Sequence, residues 1–292
     1  MKLTDGFYTA LGTPIDDNGD LVAESLKKHI EQQIEYGASG LLLMGSMGIE
    51  VYLKNSTFAE AVKVGAAANN GRLPLFVGCM DNSIVKVMEK VALIGDAKID
   101  GVVVTTPFYG RLDDAEIVNF FRTIADKSPY PVYLYDLAAV TKLKITLPII
   151  DKLIDHPNIV GMKSVDWQLL QHIGRKYPEK NFQCLYSGLD TFDYANMMGI
   201  TKNLDGMFCC TPKNGRKLYD AIIAKDFKTA RVHLDNILLM RDKMLELGLM
   251  YCFTYAMNLL GFEGNFHEDY CLPIDDNKKN IMKQLMIDIG EL

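Results

Sequence analysis

Lys163 closes the apolar run Asn158-Ile159-Val160-Gly161-Met162, and an amine in that position can do carbonyl chemistry. Apolar surroundings disfavour the ammonium form, because desolvation penalises charge. The neutral amine attacks a ketone and forms an iminium, which then serves as an electron sink. A strand-end lysine can also reach solvent or pair with a carboxylate, so position alone leaves both options open. Tyr135 ends a second apolar run, where a phenol can pass one proton in dehydration or aldol steps. A rim aromatic with a packed ring and a wet hydroxyl is its plainer alternative. Ser46 lies in Gly45-Ser46-Met47-Gly48, a turn whose backbone N–H groups can bind a carboxylate and whose hydroxyl can relay protons. The plainer alternative there is a strand-to-helix connection. Tyr109 follows Pro107 in a loop, where a surface or interface tyrosine is equally reasonable.

Eight short apolar runs must position these groups: Phe7–Leu11, Gly40–Met44, Leu73–Val77, Gly101–Val104, Val132–Tyr135, Ile159–Met162, Phe182–Tyr186 and Leu204–Phe208. They show little polar alternation, as in strands covered on both faces of a parallel sheet. Amphipathic stretches separate them, including Ala23–Tyr36, Asn82–Ile94, Asp113–Ala125, Pro148–Ile154, Trp167–Arg175, Asp190–Gly199 and Arg216–Ala224, with Ser56 as the N-cap of another. This alternation predicts an α/β fold, a (β/α)₈ TIM barrel over residues 1–224, with an open doubly wound sheet as the structural rival. Asp226–Leu247, Met250–Leu260 and Asn277–Ile289 read as a C-terminal helical extension, residues 225–292, packed on the barrel. In such a barrel the active site lies at the C-terminal strand ends, where Lys163, Tyr135 and Ser46 fall.

The net charge of −6 argues against an electrostatic nucleic-acid binder. No apolar run reaches the roughly 18 residues needed to span a bilayer, so no membrane partner is expected. The first residues, MKLTDGFYTALGTP, do not read as a secretory leader, and the six cysteines form no CxxC pair. Reduced cysteines in a cytoplasmic protein are expected. His29, His156, His172, His233 and His267 are scattered without metal-ligand spacing, and the glycine turn matches neither a P-loop nor a dinucleotide fingerprint. No metal and no cofactor are expected.

The ordered pieces together resemble the dihydrodipicolinate synthase/N-acetylneuraminate lyase family. They are Gly12-Thr13-Pro14, Gly45-Ser46-Met47-Gly48, Thr106-Pro107-Phe108-Tyr109, Tyr135, Gly161-Met162-Lys163 and Ser187-Gly188-Leu189-Asp190. The resemblance runs from about Gly6 to about Lys213 and more loosely through the tail. It implies a Schiff base between Lys163 and pyruvate or a related 2-oxo acid, with Tyr135 as general acid/base. It implies that Ser46 and Tyr109 complete a proton relay, Tyr109 in a neighbouring subunit's site. The Ser46 and Met47 amides and Gly188 would line the 2-oxo acid end. A homotetramer is also implied.

The departures bear on the second substrate. Met47 and Ile49 stand where the family's turn carries a hydroxyl residue and a glutamate, and Tyr135-Asp136-Leu137-Ala138 replaces Tyr-Asn-x-Pro. Val140 stands where dihydrodipicolinate synthases place the arginine that holds the carboxylate of aspartate semialdehyde, and valine cannot make a charge-assisted bond. Lys142 or Lys144 are the available substitutes. Asp190 matches an acidic position of the lyases, but Thr191 replaces their glutamate, and Cys209-Cys210 replace Gly-Ser beside Phe208. The expectation is a pyruvate-dependent aldolase or lyase whose acceptor aldehyde faces Val140, Asp190 and Phe208. Dihydrodipicolinate synthase itself, and a non-catalytic barrel that binds a 2-oxo acid, are the alternatives.

Overall fold

The computed structural model describes residues 2–292. Its centre is a closed parallel barrel in chain order. The strands are β1 (Gly6–Ala10), β2 (Gly40–Leu43), β3 (Leu75–Gly78), β4 (Gly101–Thr105), β5 (Val132–Asp136), β6 (Ile159–Ser164), β7 (Gln183–Tyr186) and β8 (Lys202–Asp205). Eleven of the strand-and-helix units' helices and extension helices follow the expected order, and one short helix is new. They are α1 (Ala23–Glu35), α2 (Asn55–Asn69), α3 (Ile84–Leu93), α4 (Asp114–Lys127), α5 (Ala138–Thr141), α6 (Leu147–Leu153), α7 (Trp167–Lys176), α8 (Phe192–Met197), α9 (Pro212–Ile223), α10 (Phe227–Leu247), α11 (Leu249–Leu259) and α12 (Asp276–Asp288). The unforeseen α5 carries Val140.

Strand alternation sorts the apolar residues into two cores. Tyr8, Leu42, Phe76, Val103, Tyr133, Leu185 and Leu204 fill the barrel interior, while Phe7, Leu41, Val77, Val104 and Leu134 join the layer beneath the helices. The same two-residue period aims Tyr135 and Lys163 inward at the C-terminal end. Gly161 lies one inward step below Lys163. A Cβ there would meet the Tyr133 ring at 2.7 Å and Gln183 O at 2.3 Å, so glycine lets Tyr133 fill the space beneath the amine.

Two local expectations are corrected. The eighth strand is Lys202–Asp205, not Leu204–Phe208, and Met207–Cys209 forms a 3₁₀ turn beyond it. Polar Asn203 tolerates a strand interior because Tyr219 and Asn196 donate to its carbonyl. α2 begins at Asn55 with Lys54 as N-cap, not Ser56; the Lys54 side chain caps no helix amide, and its Nζ donates to Asn18 O and Asp20. The extension docks through α10 on α9, and Glu291 clasps the start of α9 by accepting from the Lys213 and Asn214 amides at 3.1 and 2.8 Å. A carboxylate at a helix N-terminus is favoured by the helix dipole.

His29 on α1 is fully buried, its ring edge-on to Phe262 at 5.1 Å, and neither nitrogen has a partner among the described residues. Burial lowers its pKa from 6.5 to about 3. The unfolded chain therefore takes up a proton below about pH 6.5 that the folded chain refuses, so stability is lost as pH falls from 6.5 towards 3. His29→Phe is expected to flatten the acid limb of the stability curve, by about 2 kcal/mol near pH 5. Urea unfolding of both proteins from pH 7 to pH 4.5 measures this. An unchanged slope would show that the buried ring already titrates in the folded state.

Candidate active site

Parallel pairing of β5 with β6 sets Tyr135 directly beside Lys163. The lysine Nζ donates to the Tyr135 hydroxyl at 3.0 Å and lies 4.2 Å from the centroid of its ring. Both side chains are buried, and Ser46 Oγ stands 3.3 Å from the phenol oxygen. Amine, phenol and alcohol thus form one chain of exchangeable protons at the barrel mouth. Tyr109 is not part of it within one chain. It is 94% exposed, in a loop pinned where the Phe108 and Tyr109 amides both donate to Asn82 Oδ1 at 2.8 Å.

The turn that carries Ser46 is held by its own backbone bonds, Gly48 N to Gly45 O and Ile49 N to Ser46 O. Among the described residues the Ser46 and Met47 amides have no acceptor, which leaves two N–H groups for an anion. Met44 and Ile49 flank the turn at φ 54° and 49°, a left-handed conformation that costs a β-branched residue energy. The Met47 side chain lies across the mouth onto β8. A Cβ on Gly206 would sit 2.7 Å from its Cγ, so the thioether is accommodated by that glycine. Thr105, one strand over from Tyr135, has a buried hydroxyl without a partner among the described residues.

Behind the pair, on the outer side of β5, a polar network locks the two strand ends. Asp136 accepts from Ser164 Oγ at 2.7 Å, from the Ile145 amide at 3.2 Å and from Lys144 Nζ. Lys144 also reaches Asp166 at 3.2 Å, and Asp166 caps α7 through the Leu169 amide. Lys142 Nζ is turned back onto Ala139 O. Neither lysine therefore replaces the missing arginine.

Two cavities flank the mouth. The larger, about 640 Å³, is lined towards the site by Ser46, Met47, Thr105, Leu137 and Val140, and also by Leu249 and Met250 of α11. Val140 is 60% exposed there. At the cavity's far side Lys90 is held by Glu50 at 2.6 Å and Asp81 at 3.4 Å. Burial pushes the Glu50 carboxyl up to about 7, against the pull of Lys90. Ile49 is buried, so the acidic residue of this turn sits one residue later, on Glu50, where it pairs with Lys90.

The smaller cavity, about 370 Å³, lies at the β7–β8 side against Ser187, Gly188, Asp190, Asp205 and Arg241. Asp190 is engaged bidentately by Arg241 of α10, at 2.7 and 2.8 Å, which holds its carboxyl below the usual range. Phe208 is corrected as a ligand contact. It is fully buried in the outer layer against Phe7, Phe192 and Tyr219, and Cys209 and Cys210 are buried beside it. Asp205 and Arg241 were missed. The misplaced eighth strand hid Asp205 as a strand end, and no spacing rule links Arg241 to a barrel that precedes it.

The model of the dihydrodipicolinate synthetase family matches residues 3–289. A 4-hydroxy-tetrahydrodipicolinate synthase of Exiguobacterium sp. is 27% identical over 268 residues, 88% of either chain. Among solved structures, YagE of E. coli K12, determined with pyruvate, aligns with a TM-score of 0.88 at 21% identity, over 99% of this chain and 100% of that one. CdNal of Clostridium difficile, determined with mannosamine, gives 0.88 at 18% identity, over 98% and 99%.

The Asp136 network generates a stability test. Lys144→Met leaves the buried Asp136 with one cation fewer and is expected to cost about 1–3 kcal/mol, below the usual range for a fully buried pair because Lys144 is partly exposed. Asp136→Asn in the same chain is expected to restore most of that loss. A double-mutant cycle by thermal unfolding checks it, and additive losses would show that the two residues are not coupled.

Proposed function

Because the chain belongs to the dihydrodipicolinate synthetase family, a family of class I aldolase lyases, we propose that it joins or cleaves a carbon–carbon bond between pyruvate and an aldehyde through an imine on Lys163. The observation that carries this is the 3.0 Å contact between a buried lysine amine and a phenol at the mouth of the barrel. The pyruvate-bound YagE structure supports pyruvate as the first substrate.

In the synthetic direction the neutral amine of Lys163 attacks the pyruvate carbonyl carbon. The carbinolamine oxygen takes a proton from Tyr135 and leaves as water, giving the iminium. Loss of a methyl proton gives the enamine, whose carbon attacks the aldehyde carbonyl. The new alkoxide takes a proton, and water cleaves the iminium to release product and free Lys163. Cleavage runs these steps in reverse. Ser46 reloads the phenol, and the strongly exposed Tyr109 extends that relay in a neighbouring copy of a homotetramer. The pyruvate carboxylate is held by the Ser46 and Met47 amides, with Gly188 on the opposite wall.

A dihydrodipicolinate synthase activity is favoured by the names of relatives such as the Exiguobacterium enzyme. Against it stand Val140 in the acceptor space and the engagement of Lys142 and Lys144 elsewhere. A barrel that binds a 2-oxo acid without turnover would leave the methyl protons of pyruvate unexchanged in heavy water.

Borohydride added with pyruvate is expected to trap a reduced pyruvyl group on Lys163, read by peptide mass spectrometry, and Lys163→Ala is expected to lose it. Tyr135→Phe is expected to retain slow trapping and to lower methyl-proton exchange by about 10²- to 10⁴-fold. No adduct on the wild type would overturn imine chemistry, and full exchange in Tyr135→Phe would overturn the phenol's role.

A further inference from the structure

Asp205 is the last residue of β8 and is partly buried, and the surface it keeps opens into the smaller cavity. One of its oxygens accepts from the Met207 amide at 2.8 Å, and among the described residues no side chain donates to the carboxyl. Burial raises its pKa, and the charge of Lys163 acts on it from within the site. A carboxylate has about four acceptor positions, so a carboxyl with a backbone amide as its partner has capacity left for a ligand. We propose that Asp205 is a specificity-determining contact for the second substrate, and that it selects an aldehyde bearing a hydroxyl group over one bearing a carboxylate. The inference rests on the pyruvate–imine reading and deepens it by naming the class of acceptor.

Charge and donor arithmetic carry the choice. Asp190 and Asp205 set two carboxylates against one guanidinium on this wall, and Asp242, outside the cavity, shares that guanidinium. Arg241 already makes four contacts of 2.7–2.9 Å with carboxylate oxygens, two to Asp190 and two to Asp242. Of its five N–H groups too few are left for the two parallel bonds that carboxylate recognition uses. An anionic acceptor would meet like charges without a fork to receive it. A hydroxyl group suits Asp205 in either protonation state, donating to the carboxylate or accepting from the acid. The Asp190–Arg241 pair then acts as a positioning brace, fixing the α10 side of the cavity. The larger cavity offers the contrasting environment. It is apolar around Val140, and its exposed cation, Lys86, lies 3.8 Å from Asp81.

The test measures kcat/KM for condensation with pyruvate against three aldehydes of matched length: erythrose, butanal and succinic semialdehyde. The wild type is expected to favour erythrose over butanal by at least about tenfold. Asp205→Ala is expected to abolish that ratio, and Asp205→Asn, which keeps polar capacity, to retain part of it. Each ratio is taken within one variant, so a reduced folded fraction cancels. A wild-type preference for succinic semialdehyde, or an erythrose-to-butanal ratio unmoved in both variants, overturns the inference. Methyl-proton exchange in pyruvate, followed on the wild type, separates the two levels. Exchange without the expected aldehyde ratio overturns this inference alone, whereas no exchange overturns the imine reading and this inference with it.

Discussion

The lateral register between β5 and β6 is the constraint on which the site depends. Backbone pairing sets Tyr135 opposite Lys163 and Asp136 opposite Ser164. The first pair points into the barrel and the second out of it, as the pleat requires. Inside, an amine meets a phenol. Outside, Asp136, Ser164 and Lys144 fasten the same two strand ends together. One residue of slippage would exchange these faces and place a carboxylate where the amine's partner should be. Gly161 and Tyr133 fill the space beneath, so the lysine is held from below by packing as well as from the side by hydrogen bonds.

Around this fixed centre the mouth is uneven. On the β2 side, free amides of a strained turn and the Met47 thioether form one wall. Towards α5 and α11 the lining is apolar, with Val140 where a cation would serve an anionic acceptor. Towards β7, β8 and α10 it is acidic and braced by Arg241. The two cavities thus offer opposite solvation on the two sides of the mouth.

Much of the barrel was legible because parallel strands covered on both faces must be apolar throughout, and seven of the eight runs overlap their strands closely. The eighth failed for the same reason. Lys202-Asn203 is polar, and its burial depends on Tyr219 and Asn196, which lie on other elements. The apolar Met207–Cys209 that looked like a strand is a 3₁₀ turn in the outer layer. Lys163, Tyr135 and Ser46 could be found at strand ends, and the structure brings them together. Asp205 was concealed by the shifted boundary, and Arg241 by tertiary packing of a helix that local periodicity cannot place. Phe208 was mistaken for a rim residue by the same two- to three-residue error. Asp190 is legible in the sequence as an acidic position, but its engagement by Arg241 is not.

The division of labour between strands and later elements has a bearing on descent. The amine and the phenol are tied by main-chain pairing, which side-chain replacement hardly perturbs. The groups lining the two cavities include side chains from α5, from the tip of β8 and from α10. Under the proposed function, replacing Val140 or Asp205 alters what is accepted while the lysine–phenol pair keeps its place. Relatives that share this barrel would be expected to diverge first in what they accept and last in how they react.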